Sequence, residues 1–258
     1  MKKTIVVKIG GATLGSHDTA LEDIVELQKQ GKSLVVVHGG GKLITEWLDK
    51  QGVPTNFLRG ERVTDKPTLD VATAVLAGLV NKDITAAINT LGGKAVGLSG
   101  VDGSIIEGEI KEKEKGYVGA VTRVNTAVLD ALLGSGFIPV ISPIGMNSAK
   151  RDNEPSTLNY NADVVAGEIA VALNVETLIF LTDVDGVVDE EGRVLPSLTA
   201  NEAKALIKSG VASGGMIPKI NACLKALTVK ASARIIDGRQ SHALLNGLKE
   251  SKNGTTIK

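Results

Sequence analysis

The stretch SLVVVHGGGKLITEWLDKQ, Ser33 to Gln51, decides the fold. Its first part is a run of valines after a leucine, apolar on both faces, as in a strand buried within a parallel sheet. Its second part, Lys42–Gln51, spaces apolar residues at helical intervals. Three glycines, Gly39, Gly40 and Gly41, stand between strand and helix. One glycine there would be an ordinary turn. Three in a row leave backbone N–H groups and the positive end of a helix dipole open to an anion. The loop is not a Walker A motif, because the spacing differs and Leu43 follows Lys42 where Ser or Thr would reach magnesium. Nor does it have the G-x-G-x-x-G form. His38 reads either as a catalytic base or, more simply, as a histidine that hydrogen-bonds the loop.

The same pattern extends outward. TIVVKIG (Thr4–Gly10), KAVGLSG (Lys94–Gly100), FIPVISP (Phe137–Pro143), TLIFLTD (Thr177–Asp183) and ARIID (Ala233–Asp237) read as further doubly buried strands. Helical patterns cover Thr19–Gln30, Pro67–Leu91, Asn125–Gly134, Ala162–Leu173, Ala200–Ser209 and Ile217–Lys230. This alternation predicts an α/β fold with helices on both faces of an open sheet, and ligands beyond the C-terminal strand ends. Ser104–Asn125 breaks the alternation and predicts a β-hairpin or small meander; the polar tail either frays or forms a last short strand.

Bulk composition narrows the function. Lys plus Arg and Asp plus Glu are 29 each, so net charge gives no general attraction for nucleic acid or an anionic membrane. Aromatics at 2% leave no stacking platform for bases. A single cysteine excludes an internal disulfide and fits a cytoplasmic protein. The N-terminal apolar run is too short for a signal segment, and no stretch reads as a membrane span.

With HGGG, the KIGG and NYNAD motifs make three at predicted strand ends, and two further pieces, TDVDGV and GGMIPK, join them. In KIGG, Lys8–Gly11, a lysine sits inside a buried strand and needs an anion or an exit to solvent. Gly10 and Gly11 allow the backbone to approach a ligand, although a strand-ending turn would look the same. In NYNAD, Asn159–Asp163, Asn161 suits an N-cap and Asp163 a first helical turn. The functional reading is that Asp163 faces the cavity that Lys8 faces. TDVDGV, Thr182–Val187, follows a strong strand but is no EF-hand, since its glycine comes too early. GGMIPK, Gly214–Lys219, places a lysine near a helix N-terminus, where the dipole repels it unless an anion intervenes.

Together with RVT at Arg62–Thr64, these motifs run through nearly the whole chain in an order that resembles the amino acid kinase family. The resemblance implies a three-layer αβα sandwich around an open, mainly parallel sheet of about eight strands. It implies one domain whose first part, residues 1–173, takes an acyl amino acid and whose second, 174–258, takes ATP. The implied reaction moves the γ-phosphoryl of ATP to the side-chain carboxylate of N-acetyl-L-glutamate, in arginine biosynthesis. By similarity Lys8 and Lys219 stabilise the transition state and Asp163 holds both ammonium groups. Gly11, Gly40 and Gly41 donate N–H groups to phosphoryl oxygens and substrate, with Gly10 beside them. Arg62 and Asn159 grip the substrate. Leu181, Thr182, Asp183, Val184, Asp185, Gly186, Val211, Ala212 and Ser213 frame the nucleotide. Magnesium is expected on ATP oxygens and water, with no dedicated protein ligand.

Some relatives carry an N-terminal helix that links dimers into a hexamer and couples to arginine inhibition. Here the first strand starts within a few residues of Met1, so the expectation is a homodimer with weak or no arginine inhibition, joined through the helix after Pro67. Two alternatives stay open: a kinase of N-acetylated or carrier-bound aminoadipate, and a catalytically silent nucleotide or amino-acid sensor on the same fold.

Overall fold

The computed structural model describes residues 3–10, 19–249 and 253–258. All six expected strands are present: β1 (Thr4–Ile9), β2 (Ser33–His38), β5 (Ala95–Ser99), β8 (Ile138–Ser142), β11 (Thr177–Thr182) and β13 (Ser232–Asp237). They lie side by side and parallel in the order β13-β11-β1-β2-β8-β5. Two short strands, β12 (Ser197–Leu198) and β14 (Thr255–Ile257), complete an eight-stranded sheet. β14 runs antiparallel to β13, so the polar tail does end in a strand.

Strand parity divides the core into two layers. Ile5, Val7 and Ile9 of β1 face one side with Leu34 and Val36 of β2. Val6, Val35 and Val37 face the other. The first side is covered by α1 (Ala20–Lys29), α2 (Gly41–Lys50), α9 (Ala243–Lys249) and a long helix. The second is covered by α5 (Ala127–Gly134), α6 (Ala162–Ala172), α7 (Ala200–Ser209) and α8 (Met216–Ala226). Each buried Val, Leu or Ile contributes roughly 1.5–3 kcal/mol, which is why near-continuous aliphatic runs tolerate so few interruptions. Lys8 interrupts β1 on the second side and His38 ends β2 on the first.

The long helix comprises α3 (Lys66–Thr73), a π-helical stretch over Ala74–Val80, and α4 (Asn81–Thr90). Asp65 caps its start by accepting from the Thr68 amide, and Pro67 occupies the first turn. At 25 residues it is long and apolar enough to cross a membrane by length and composition, contrary to the expectation of no such stretch. Leu69, Ala72, Val75, Leu76, Ile84 and Ile88 bury one face of it in this protein's own core.

The irregular segment forms the expected hairpin, β6 (Ile106–Ile110) with β7 (Val118–Val124), irregular between Glu107 and Gly108. It closes with β9 (Ile144–Asn147) and β10 (Thr157–Tyr160) into a four-stranded unit above the C-terminal end of the sheet. A smaller hairpin, β3 (Phe57–Leu58) and β4 (Glu61–Arg62), turns at Arg59 and Gly60. Both have positive φ, at 52° and 80°, as a tight two-residue turn requires.

Candidate active site

Lys8 leaves β1 on the face that carries α6 and α8. There its Nζ meets Asp163 Oδ1 at 2.8 Å, off the alignment of an ideal hydrogen bond. Lys219 Nζ, from the first turn of α8, donates to Asp163 Oδ2 at 2.9 Å and to the Gly215 carbonyl at 3.2 Å. One buried carboxylate therefore holds two ammonium groups. Asn161 caps α6, its Oδ1 accepting from the Asp163 amide at 2.8 Å and from Val164 at 3.3 Å. So the cap is Asn161, and the Asp163 side chain is released to face the lysines. Burial pushes the Asp163 carboxyl upward, but Lys8 and then Lys219 outweigh it and hold it below its ordinary value. Burial lowers Lys8; Asp163 opposes this, Lys219 adds to it, and the ammonium ends below 10.5.

α6 and α8 approach closely because residue 167 is glycine. A Cβ on Gly167 would lie 2.8 Å from Ala222 Cβ, inside van der Waals contact. That crossing brings Asp163 and Lys219 together.

A cleft of about 230 Å³ opens beside Lys8 and Asp163. Gly39, Gly40 and Gly41 line one side, Asn159 and Tyr160 another, and the β3–β4 hairpin a third. Arg62 points into it. Its Nη2 donates to the Gly41 carbonyl and Thr45 Oγ1, both at 2.8 Å, and its guanidinium lies 4.8 Å over the Phe57 ring. Among the described residues no carboxylate lies within ion-pair distance of Arg62, so its fork is fixed in direction but lacks a strong anion. Asn159 Nδ2 donates to Thr64 Oγ1 at 3.2 Å. The N-terminus of α2 has no side-chain cap and opens on this cleft.

A second pocket, about 440 Å³, lies by the loop after β11 and the segment before α8. Asp183, Val184, Asp185, Gly186, Val211, Ala212 and Ser213 all line it, joined by Met216 and Arg239. Asp183 acts electrostatically on both Lys8 and Arg239, which links the two sites.

The profile of the amino acid kinase family matches residues 3–237. The chain belongs to the amino acid kinase family. Its relatives include proteins named acetylglutamate kinase: one from Dehalococcoides mccartyi is 49% identical over 254 residues, covering 98% of this chain and 93% of that one. One from a Nostoc species is 48% identical over 252 residues, with coverage of 94% and 83%. A crystal structure of a Streptococcus mutans protein superposes with a TM-score of 0.84 at 30% identity, covering 100% and 99% of the two chains. N-acetylglutamate synthase from Neisseria gonorrhoeae, solved with coenzyme A and N-acetyl-glutamate, gives 0.84 at 28%, this chain covering 59% of it. Carbamate kinase from Giardia lamblia, at 18% identity and 0.73, shares the fold.

Within this amino acid kinase, four sequence-chosen residues fall elsewhere or lie outside view. The Gly10 amide donates to the Leu181 carbonyl at 3.0 Å, so strand pairing already uses it. Leu181 itself is wholly buried, with its side chain in the core. Thr182 is buried at the end of β11, and its hydroxyl donates to Asp183 at 3.2 Å. None of the three lines the second pocket. Gly11 lies outside the described residues.

His38 faces the long helix, opposite to Lys8. It is fully buried, and burial with the nearby Lys8 charge pushes its pKa down to about 4 against the raising bond to Gly39. It is loop-bonding and no base for this site.

Sequence reasoning missed Phe57, Glu61, Tyr160 and Arg239. Arg239 follows a strand, as Asp183 does, and could have been picked out by that symmetry. The two-residue strands β3 and β4 carry no period that would expose Phe57 or Glu61.

Proposed function

We propose that this kinase transfers the γ-phosphoryl group of ATP to the side-chain carboxylate of N-acetyl-L-glutamate, as a step of arginine biosynthesis. The observation that carries this is Asp163 holding Lys8 and Lys219 between two sites, one with an arginine that has no ion-pair partner among the described residues and one among loops at a helix N-terminus. The relatives' name and the N-acetyl-glutamate held by a solved homologue support the substrate.

The chemistry needs few parts. A carboxylate is ionised at neutral pH, so the nucleophile needs no general base. Its oxygen forms a bond to the γ-phosphorus as the bond to the β,γ-bridging oxygen breaks, and ADP leaves with that oxygen's charge. Positioning and charge neutralisation supply the catalysis. Lys8 meets the transferring group, Lys219 the nucleotide phosphates, and the Gly40 and Gly41 amides the phosphoryl oxygens and substrate. Arg62 pairs with the α-carboxylate and Asn159 holds the acetylamido end.

Residues up to about 173 form the acyl amino acid lobe and those from about 174 the nucleotide lobe, since the first cleft draws on 8–163 and the second on 183–239. Magnesium accompanies the triphosphate and neutralises part of its charge. Asp183 lines the second pocket and offers a carboxylate to an ion that otherwise keeps phosphate and water ligands. The protein acts in the cytoplasm, where a lone thiol, buried Cys223, stays reduced. It works as a homodimer through the outer face of the long helix, where Ala74, Gly78 and Leu79 are exposed.

A hydroxamate assay with ATP and a panel of acidic amino acids tests the reading, because hydroxylamine traps acyl phosphates. N-acetyl-L-glutamate should give the strongest signal. A stronger signal with N-acetylaminoadipate would change the substrate, and ATP binding with no trapped product would favour the sensor.

A further inference from the structure

We infer that His38 and Asn81 are positioning residues: the imidazole, fixed in one tautomer by Asn81, turns the Gly39–Gly40 peptide so that the Gly40 N–H faces the reacting phosphoryl group. This rests on the phosphoryl-transfer reading and adds two residues to it.

The tautomer follows from the partners. His38 Nδ1 lies 2.9 Å from the Gly39 carbonyl oxygen, which can only accept, so Nδ1 carries the proton. Asn81 Nδ2 lies 3.0 Å from the Leu98 carbonyl and 2.9 Å from that of Val140. Two carbonyls fix that atom as the amide nitrogen. The same nitrogen lies 3.2 Å from His38 Nε2 and cannot accept, so a proton on Nε2 would have no acceptor there; Nε2 stays bare and shares at most one of the hydrogens that the carbonyls draw on. Lys82 Nζ donates to Asn81 Oδ1 at 3.1 Å and closes the arrangement. The ring is neutral, with a donor on one side and an acceptor on the other.

The consequence for the loop is geometric. No described peptide is cis, and in a trans peptide the C=O and N–H point in opposite directions. With the Gly39 carbonyl drawn to the imidazole, the Gly40 N–H points away from it. The other polar groups of the loop are committed. Gly39 N–H donates to the Ile9 carbonyl, the Gly40 carbonyl accepts from Ile44, and the Gly41 carbonyl accepts from Arg62. The Gly40 amide has no protein acceptor among the described residues, and Gly40 lines the cleft. Leu76, also on the long helix, closes on the loop: a Cβ at residue 40 would lie 2.7 Å from Leu76 Cδ2. The ring and the helix together hold the peptide, so the donor is oriented before substrate arrives. An oriented donor of this kind is worth roughly a hundredfold or more in turnover.

The test compares His38→Leu, His38→Asn and Asn81→Ala with the wild type in the hydroxamate assay. His38→Leu removes the donor to Gly39 and should lower kcat at least tenfold with both KM values within about threefold. His38→Asn, whose amide can reach the same carbonyl, should recover most of that loss, and Asn81→Ala should fall between. Unchanged kcat in His38→Leu, or a loss confined to KM, overturns the inference. Nitrogen-15 NMR of the wild type near pH 7.5 gives an answer that needs no variant: His38 should show a protonated Nδ1 and a bare Nε2, and the opposite tautomer or an imidazolium overturns it. A wild type that forms no acyl phosphate refutes the phosphoryl-transfer reading itself, while the NMR result still decides the tautomer.

Discussion

Asp163 is a carboxylate between two ammonium groups, and its removal acts through both. Asp163→Asn leaves Lys8 buried beside Lys219 with only the weaker field of Asp183 to offset it, so the Lys8 pKa falls further below 10.5. Lys8 is charged only below its folded-state pKa. Activity that needs the charge is therefore lost as pH rises through that value, and the alkaline limb of the kcat profile should move to lower pH in the variant. A limb that stays in place or moves upward would contradict this role. Lys8→Ala should lower kcat a hundredfold or more with the fold intact by circular dichroism, and near-normal turnover would remove Lys8 from the chemistry. Arg62→Lys loses the planar fork and should raise KM for the acyl amino acid about tenfold with a smaller effect on kcat. At this scale much was legible. A lysine inside an aliphatic strand and a lysine at a helix start both conflict with their local surroundings, and the structure brings both to Asp163. Parity separated Lys8 from His38 only once the flanking helices were assigned to faces.

Elements bring these residues together, and the crossing of α6 with α8 matters most. Gly167→Ala would insert a methyl group against Ala222 and part the helices, which costs about 1–3 kcal/mol. Both Tm and kcat should fall, and Ala222→Gly in the same chain should restore kcat in part, since the nearest contact is removed while the Ala222 Cα still lies 3.0 Å from the new methyl group. If kinetics showed no recovery, the contact would not be what sets the Asp163–Lys219 spacing. The β3–β4 hairpin is held differently. Glu61 accepts from Lys111 at 2.9 Å and from buried Lys115 at 2.6 Å, tying the hairpin that carries Arg62 to the β6–β7 connection. Glu61→Gln should loosen that tie and raise the acyl amino acid KM more than the ATP KM, as measured by steady-state kinetics. Six strands were readable because strands buried on two faces leave unbroken β-branched runs. β3, β4 and β12, two residues each, leave no pattern. Seven-residue α9, with Gly247 inside it, was missed for the same want of length.

Across the whole molecule, both sites sit at the C-terminal edge of one continuous sheet, where β1 supplies Lys8 to the first and the loop after its neighbour β11 lines the second. A nonhydrolysable ATP analogue at a hundred times its Kd should stabilise the fold by about 2.7 kcal/mol, seen as a rise in Tm, and Lys219→Ala should reduce that rise. Light scattering should give a two-chain particle, and Leu79→Asp on the exposed helix face should reduce it to one chain; a wild-type monomer would refute the dimer. The sheet's centre and order of alternation were legible in the sequence. The closure of β6, β7, β9 and β10 was not, because it depends on pairings between distant segments that no local period encodes.

Thr255, in β14, accepts from the Val187 amide at 2.8 Å, and Gly186 packs against the same hydroxyl. The wall of the second pocket is thus buttressed by a strand translated long after the loop it supports. During synthesis the cleft beside Arg62 can close around its own residues first, while the second pocket, proposed above to take the nucleotide, lacks its backing until Thr255 has emerged from the ribosome. A nascent chain stalled before that point should pass an ATP-agarose column unretained.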